Sequence, residues 1–177
     1  MAKLRTPDIE AVLNRARDVA VQASEDQLRR FAHQLRDQFV GRIRAQDFDS
    51  FRRVPLSWRW QNRKAALHLD ERTMIATGEY LRSIQVFETR ADGKLNLRIG
   101  IHPSKIVRHY KTGMRRRLPM WLLACVHEFG SSRAKVPARP HWGPFFQDVQ
   151  QNVAPRTARE LTQAVGRKVR ASVGGHR

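Results

Sequence analysis

Apolar side chains recur at three- and four-residue steps along the first quarter of the chain. Ile9, Val12, Leu13, Ala16, Val19, Ala20 and Ala23 begin the series, and Leu28, Phe31, Ala32, Leu35, Phe39 and Ile43 continue it. That period puts them on one stripe of a helix. Thr6-Pro7 ahead of the stripe is a start signal: a hydroxyl N-cap, then proline at the first helical position, with Asp8 and Glu10 beside the positive helix end. Ser24 and Gln27 have capping-box spacing, so residues 6–45 can form one helix or two with a bend near residue 24. So long a stripe needs cover, from the rest of the chain or from another subunit.

The pattern changes after residue 45. Residues 46–60 carry Asp47, Asp49 and Pro55 and predict a loop entering a short helix near Ser57–Ala66, with a further helical turn after Asp70. Ser83–Glu88 and Leu95–Ile101 then flank Asp92-Gly93, a strong tight-turn pair, and Leu95, Leu97, Ile99 and Ile101 alternate with polar neighbours. This is a β-hairpin. Residues 103–118 read as an exposed basic loop. Pro119 opens a short helix, MWLLACVHEF, which Gly130 stops in a left-handed conformation. Residues 131–144 hold too much proline for a central strand, although Ala134–Ala138 could pair at an edge. Helical periodicity returns from Phe145 to about Val169, bent at Pro155, and residues 166–177 form a basic, mobile tail.

The expected fold is therefore α+β. It has a long N-terminal helical region (1–45) and a central β-hairpin in a small antiparallel sheet. A short helix and a C-terminal helix pack against that sheet. The 177 residues fit one domain, with an α+β core at 55–150.

Charge changes the picture more than length does. Lys and Arg number 34 against 16 Asp and Glu, a net charge of +18. Nucleic acid, an acidic protein surface and an anionic membrane are all compatible with that surplus. The single cysteine, Cys125, lies in the apolar run MWLLACV; it excludes an intrachain disulfide and reads as a small core residue. The opening MAKLRTPDIE has no apolar stretch, so no signal peptide is expected, and no run approaches the roughly 18 apolar residues of a membrane span.

Catalytic chemistry finds little footing. His127-Glu128 begins a zinc-protease motif, but position 131 is Ser131 where the second histidine belongs. His102, His109 and His141 lack a ligand spacing, and no nucleophile elbow or glycine-rich phosphate loop is present. No enzyme activity, metal or cofactor is expected. Lys105, Arg108, Lys111, Arg115, Arg116 and Arg117 could instead meet phosphates or an acidic partner, and Trp58 and Trp60 beside Arg59 could stack on bases or pack in an interface.

Two segments, KAALHLDERTMIATGEYLRSIQV (64–86) and VHEFGSSRAKVPARPHWGPFF (126–146), stand in a recognisable order: TG-x-x-x-x-S-I, hairpin, basic loop, H-E-F-G, P-x-R-P, aromatic, helix. Over residues 55–150 this order resembles the tail-completion and neck proteins of tailed bacteriophages, the head–tail joining or virion morphogenesis family. The resemblance implies a structural virion protein, assembled in the host bacterial cytoplasm. It would form a cyclic ring of itself, a hexamer by tail symmetry, between connector and tail proteins, with genomic DNA passing through the channel and no membrane partner. The family's recurrent positions fall on Glu128, Phe129, Gly130, Pro137, Arg139 and Pro140. The arginine surplus departs from the acidic walls such channels often carry. A small basic nucleic-acid-binding protein is the alternative.

Read physically, the second segment is a strap. Val136-Pro137 and Arg139-Pro140 restrict the chain toward extended conformations. Trp142, Phe145 and Phe146 are placed to anchor it to the core. Glu128 is expected to fix it through an ion pair with Arg139 or Arg133.

Overall fold

The computed structural model describes residues 6–107 and 118–174. Helix α1 (Thr6–Arg44) is one continuous element. The Ser24 hydroxyl donates to the Ala20 carbonyl one turn back, at 2.7 Å, and so does not start a second helix. Short helices α2 (Asp49–Arg53), α3 (Trp58–Ala66) and α4 (Glu79–Ser83) follow, then strands β1 (Ile84–Ala91) and β2 (Lys94–Ile101). The two-residue strands β3 (Ile106–Val107) and β4 (Leu118–Pro119) precede α5 (Met120–Phe129), α6 (Trp142–Asp148), a π-helical turn at Val149–Val153, and α7 (Ala154–Gly174).

The mixed α+β class and the hairpin are as the sequence predicts. β1 and β2 pair antiparallel from Ile84↔Ile101 to Ala91↔Lys94. Asp92 (φ 51°) and Gly93 (φ 70°) both take the positive φ that a two-residue hairpin loop needs. A second ladder joins Ile106↔Pro119 and Val107↔Leu118, so the ends of the expected basic loop are strands. Residues 108–117 lie outside the described part. Three boundaries differ from expectation. No helix follows Asp70 directly; turns and bends lead instead to α4 at Glu79. Pro119 sits in β4 ahead of α5. The last turns, through Gly174, are helical and not a loose tail. The interruption near Pro155 takes the form of the π-helical turn just before α7.

By packing, the chain divides into two compact units, Met1–Phe31 with Val149–Arg177, and Ala32–Asp148. On α1, Ala23, Ala32, Leu35, Phe39, Val40 and Ile43 are buried, whereas Leu13, Val21 and Leu28 are exposed. In the 32–148 unit Phe39 is the hub. Its ring centroid lies 4.5 Å from that of Trp142, 4.7 Å from Phe145, 5.9 Å from His141 and 6.2 Å from Phe48. Such tilted, stacked and edge contacts suit aromatic quadrupoles.

The end of α1 is shaped by a residue whose role no periodicity reveals. Gln46 takes the left-handed position (φ 57°) usually given to glycine. Its N–H bonds Ile43 O at 3.1 Å, and the Asp47 N–H reaches Arg42 O at 2.9 Å, which closes the helix. Its side-chain amide donates to Ile43 O and Thr73 O and accepts from the Thr73 N–H. The αL cost is thereby offset by ties across to the 70s loop.

Candidate functional site

The strap predicted between Gly130 and Trp142 is present, and its fastenings are not the expected ones. Gly130 ends α5 with φ 78° and ψ 178°, a region essentially reserved for glycine. The position is also crowded: an added Cβ would stand 2.9 Å from Ala138 N and 3.1 Å from Val136 O. The chain then doubles back. Ser131 and Val136 exchange backbone hydrogen bonds of 2.8 and 2.9 Å, with Lys135 in a left-handed conformation at the turn. Only this bridge forms where Ala134–Ala138 allowed an edge strand.

Glu128 forms no ion pair with Arg139 or Arg133. Its Oε2 accepts the backbone N–H of His141 (2.8 Å) and Trp142 (3.0 Å), and its Oε1 accepts that of Gly143 (2.8 Å). These are orphan donors at the start of α6, which has no carbonyl one turn back to take them. The carboxylate, 13 residues earlier in sequence than His141, therefore caps α6 from the end of α5 and faces its positive pole. An ion pair with Arg139 would leave those donors empty, which is the physical reason the expectation fails.

Arg139 turns the other way. It is 4% exposed. Its Nε donates to Val54 O at 2.7 Å and its Nη2 to Pro55 O at 2.9 Å, and its own N–H donates to His127 O at 2.6 Å. Pro140 O accepts from Ser50 Oγ at 2.6 Å. The Pro-x-Arg-Pro segment is thus tied to the 50–55 segment by side chains and to α5 by backbone. Burial lowers the Arg139 pKa from its usual value, and guanidinium remains charged nonetheless.

His141 is the residue that sequence reasoning passed over. It is fully buried, 0% exposed. Its Nδ1 lies 2.9 Å from Arg139 O; a carbonyl can only accept, so Nδ1 carries the proton. Nε2 then accepts from the Tyr80 hydroxyl at 2.7 Å, and that oxygen in turn accepts Trp142 Nε1–H at 2.8 Å. Every polar atom of this buried chain is satisfied with a neutral imidazole. Burial accordingly lowers the His141 pKa, against the raising influence of Arg139 O and Glu128, and burial raises that of Tyr80. The nearest hint in the sequence was the Tyr in GEYLRSI, but nothing local brings it to His141, 61 residues away.

The remaining predicted residues separate. Phe145 is buried and Trp142 half-buried against Phe39, as anchors should be. Phe129 instead points to solvent, 80% exposed. Cys125, expected in the core, is exposed, because α5 presents that side away from the buried Met120 and Ala124. Lys105 is exposed, whereas Arg108, Lys111, Arg115, Arg116 and Arg117 lie outside the described residues. Trp58 and Trp60 are exposed as well, with Arg59 and Arg63 within 5.7 and 5.5 Å of their ring centroids.

Behind the strap the 32–148 unit holds a pocket of about 470 Å³. Leu56, Trp60, Met74, Met120, Leu123 and Val126 supply apolar wall, and Lys64, His127 and Arg139 border it. Lys64 is buried, with Nζ donating to Asp70 O (2.9 Å) and Arg72 O (2.7 Å). His127 Nδ1 is buried without a hydrogen-bond partner. Its pKa is lowered to about 4, by burial first and then by His141, Arg139 and Lys64. Among the described residues no three of His, Cys, Asp and Glu converge as a metal-ligand set, and no helix there is long and apolar enough to cross a membrane. In comparisons with family models, curated proteins and solved structures, nothing matches the chain.

Proposed function

We propose that this chain is a structural protein of a tailed-bacteriophage virion, a ring-forming neck or tail-completion component that joins the head connector to the tail. One observation carries the reading. The two segments on which the family resemblance rests, 64–86 and 126–146, are tied together where Tyr80 meets His141 and Trp142. The charged side chains of the H-E-F-G and P-x-R-P motifs hold backbone: Glu128 three N–H groups, Arg139 two carbonyls. Such a use suits a rigid surface presented to neighbours. The exposed Phe129, the last residue of α5, supplies an apolar knob for such contacts.

A phage unable to make the protein should accumulate DNA-filled heads and separate tails, counted by electron microscopy of lysates. Normal joined particles from such a mutant would reject the assignment. Replacing Arg115, Arg116 and Arg117 together by alanine should spare folding, since charges on the loop that the sequence predicts contribute about 0–1 kcal/mol each. It should weaken head–tail joining, increasingly so with salt.

A second reading, a small nucleic-acid-binding protein, is favoured by α7. Its Arg156, Arg159, Arg167, Lys168 and Arg170 are exposed against a single acid, Glu160, which pairs with Arg156 at 3.1 Å. Tight DNA binding by the isolated chain, with affinity falling linearly in log salt, would favour this alternative.

A further inference from the structure

We infer that the pocket behind the strap is a socket for an acidic, apolar peptide segment of a partner protein: large apolar side chains enter it and a carboxylate meets Lys64 and Arg139. The inference stands on the pocket and its charges alone, and not on the virion reading.

The volume of about 470 Å³ is in the range of ligand sites, which pair an apolar lining with a few convergent polar groups. What singles this one out is unbalanced charge. Lys64 and Arg139 are both nine-tenths or more buried, and among the described residues neither forms an ion pair, although Asp70 and Glu71 act on Lys64 from a distance. Both make do with carbonyl dipoles. Buried cations are normally matched by an anion, because dipoles replace only part of the lost hydration. Each keeps donors in hand: the third proton of Lys64 Nζ and the Nη1 group of Arg139 have no hydrogen-bond partner among the described residues. His127 Nδ1 adds a buried polar atom with an empty hydrogen-bonding position. Among the described lining residues Lys135 adds a third cation and Glu79 is the one acid, three cations to one anion.

The occupant follows from that balance. A second copy of this chain, of net charge +18, brings a surplus of the pocket's own sign, whereas an acidic macromolecule is attracted and steered. Trp60, half-exposed where it lines the pocket, is the kind of aromatic that dominates peptide recognition.

The test uses the full chain and fluorescein-labelled peptides read by anisotropy at physiological salt. One peptide has the core Leu-Phe-Glu-Leu. A second replaces Glu by Gln, and a third keeps Glu between glycines and serines. The first should bind saturably and the other two at least tenfold more weakly, since charge and apolar contact are both required. Leu123→Trp fills the pocket without touching a charge and should weaken the first peptide at least tenfold. Trp60→Ala, at a half-exposed position that folding tolerates, should weaken it at least threefold even if the pocket-filling variant fails to fold. Equal binding of the Glu and Gln peptides, binding of the glycine–serine peptide as tight as the first, no saturable binding, or unchanged affinity in the Trp60 variant would each overturn the proposal.

Discussion

Replacing Glu128 by alanine removes the acceptor for three backbone N–H groups at once, those of His141, Trp142 and Gly143. Hydrogen bonds to a charged group contribute about 1.5–3 kcal/mol each when counted singly. Simple addition would overstate the loss, because water can reach the exposed Gly143. The His141 and Trp142 amides stand where the core closes over Phe39, so their loss dominates. A cost of about 3–5 kcal/mol follows, a large share of the roughly 5–15 kcal/mol that stabilises a typical domain. Glu128→Gln keeps one oxygen and turns an NH2 group toward a donor; it should cost about 1–3 kcal/mol. Glu128→Asp is one methylene short of α6 and should fall between these two. Urea unfolding followed by both far-UV dichroism and tryptophan fluorescence measures the series. The alanine variant should shift the midpoint by roughly 2 M at an ordinary slope. The combined Glu128→Gln, Arg139→Met variant adds a discriminating arm. Were the two residues an ion pair, removing both would relieve the charge left by removing one. In the geometry here each fastens a different point of the strap, so the double variant should be less stable than either single one. A Glu128→Ala variant within about 0.5 kcal/mol of the wild type would refute the capping argument.

Three further outcomes can be measured in the same way. Arg139→Met strands the Val54 and Pro55 carbonyls and should cost about 2–4 kcal/mol. Arg139→Lys should rescue little, because one ammonium cannot reproduce the planar fork; an Arg139→Lys variant that melts at the wild-type temperature would contradict this. Gly130→Ala places a methyl group 2.9 Å from Ala138 N at a backbone conformation alanine resists, and a loss of about 2–4 kcal/mol is expected in thermal unfolding. His127 titrates near 4 when folded and near 6.5 when unfolded, so the unfolded chain binds the extra proton between those values. Stability should be full above the unfolded value and fall toward the folded one, by up to about 3 kcal/mol from this residue. His141, also lowered by burial, acts in the same direction. The His127→Gln variant should show a flatter decline across that window; an identical slope would count against the assignment.

Local rules were legible in the sequence wherever one segment decided its own conformation. Asp92-Gly93 set the hairpin turn and alternation set its strands, because a two-residue loop and a period of two leave little choice. The same holds for the stop at Gly130 and for the aromatic anchors Trp142 and Phe145, whose character as core residues needs no partner to be recognised. The partners themselves were not legible. Which group Glu128 would satisfy depended on where the first turn of α6 came to rest, and three orphan amides outcompeted one guanidinium. Arg139 then found carbonyls 85 and 84 residues away, and His141 became the centre of a hydrogen-bonded chain although its sequence neighbourhood carries no such sign. Periodicity also could not say how far the stripe on α1 is covered: Leu35 and Leu13 belong to the same apolar series, yet one is buried and the other exposed. Propensity and turn chemistry are local energies, set by neighbours in the chain. Burial and the choice among polar partners are settled only when distant segments compete for the same groups, and that competition belongs to the tertiary structure.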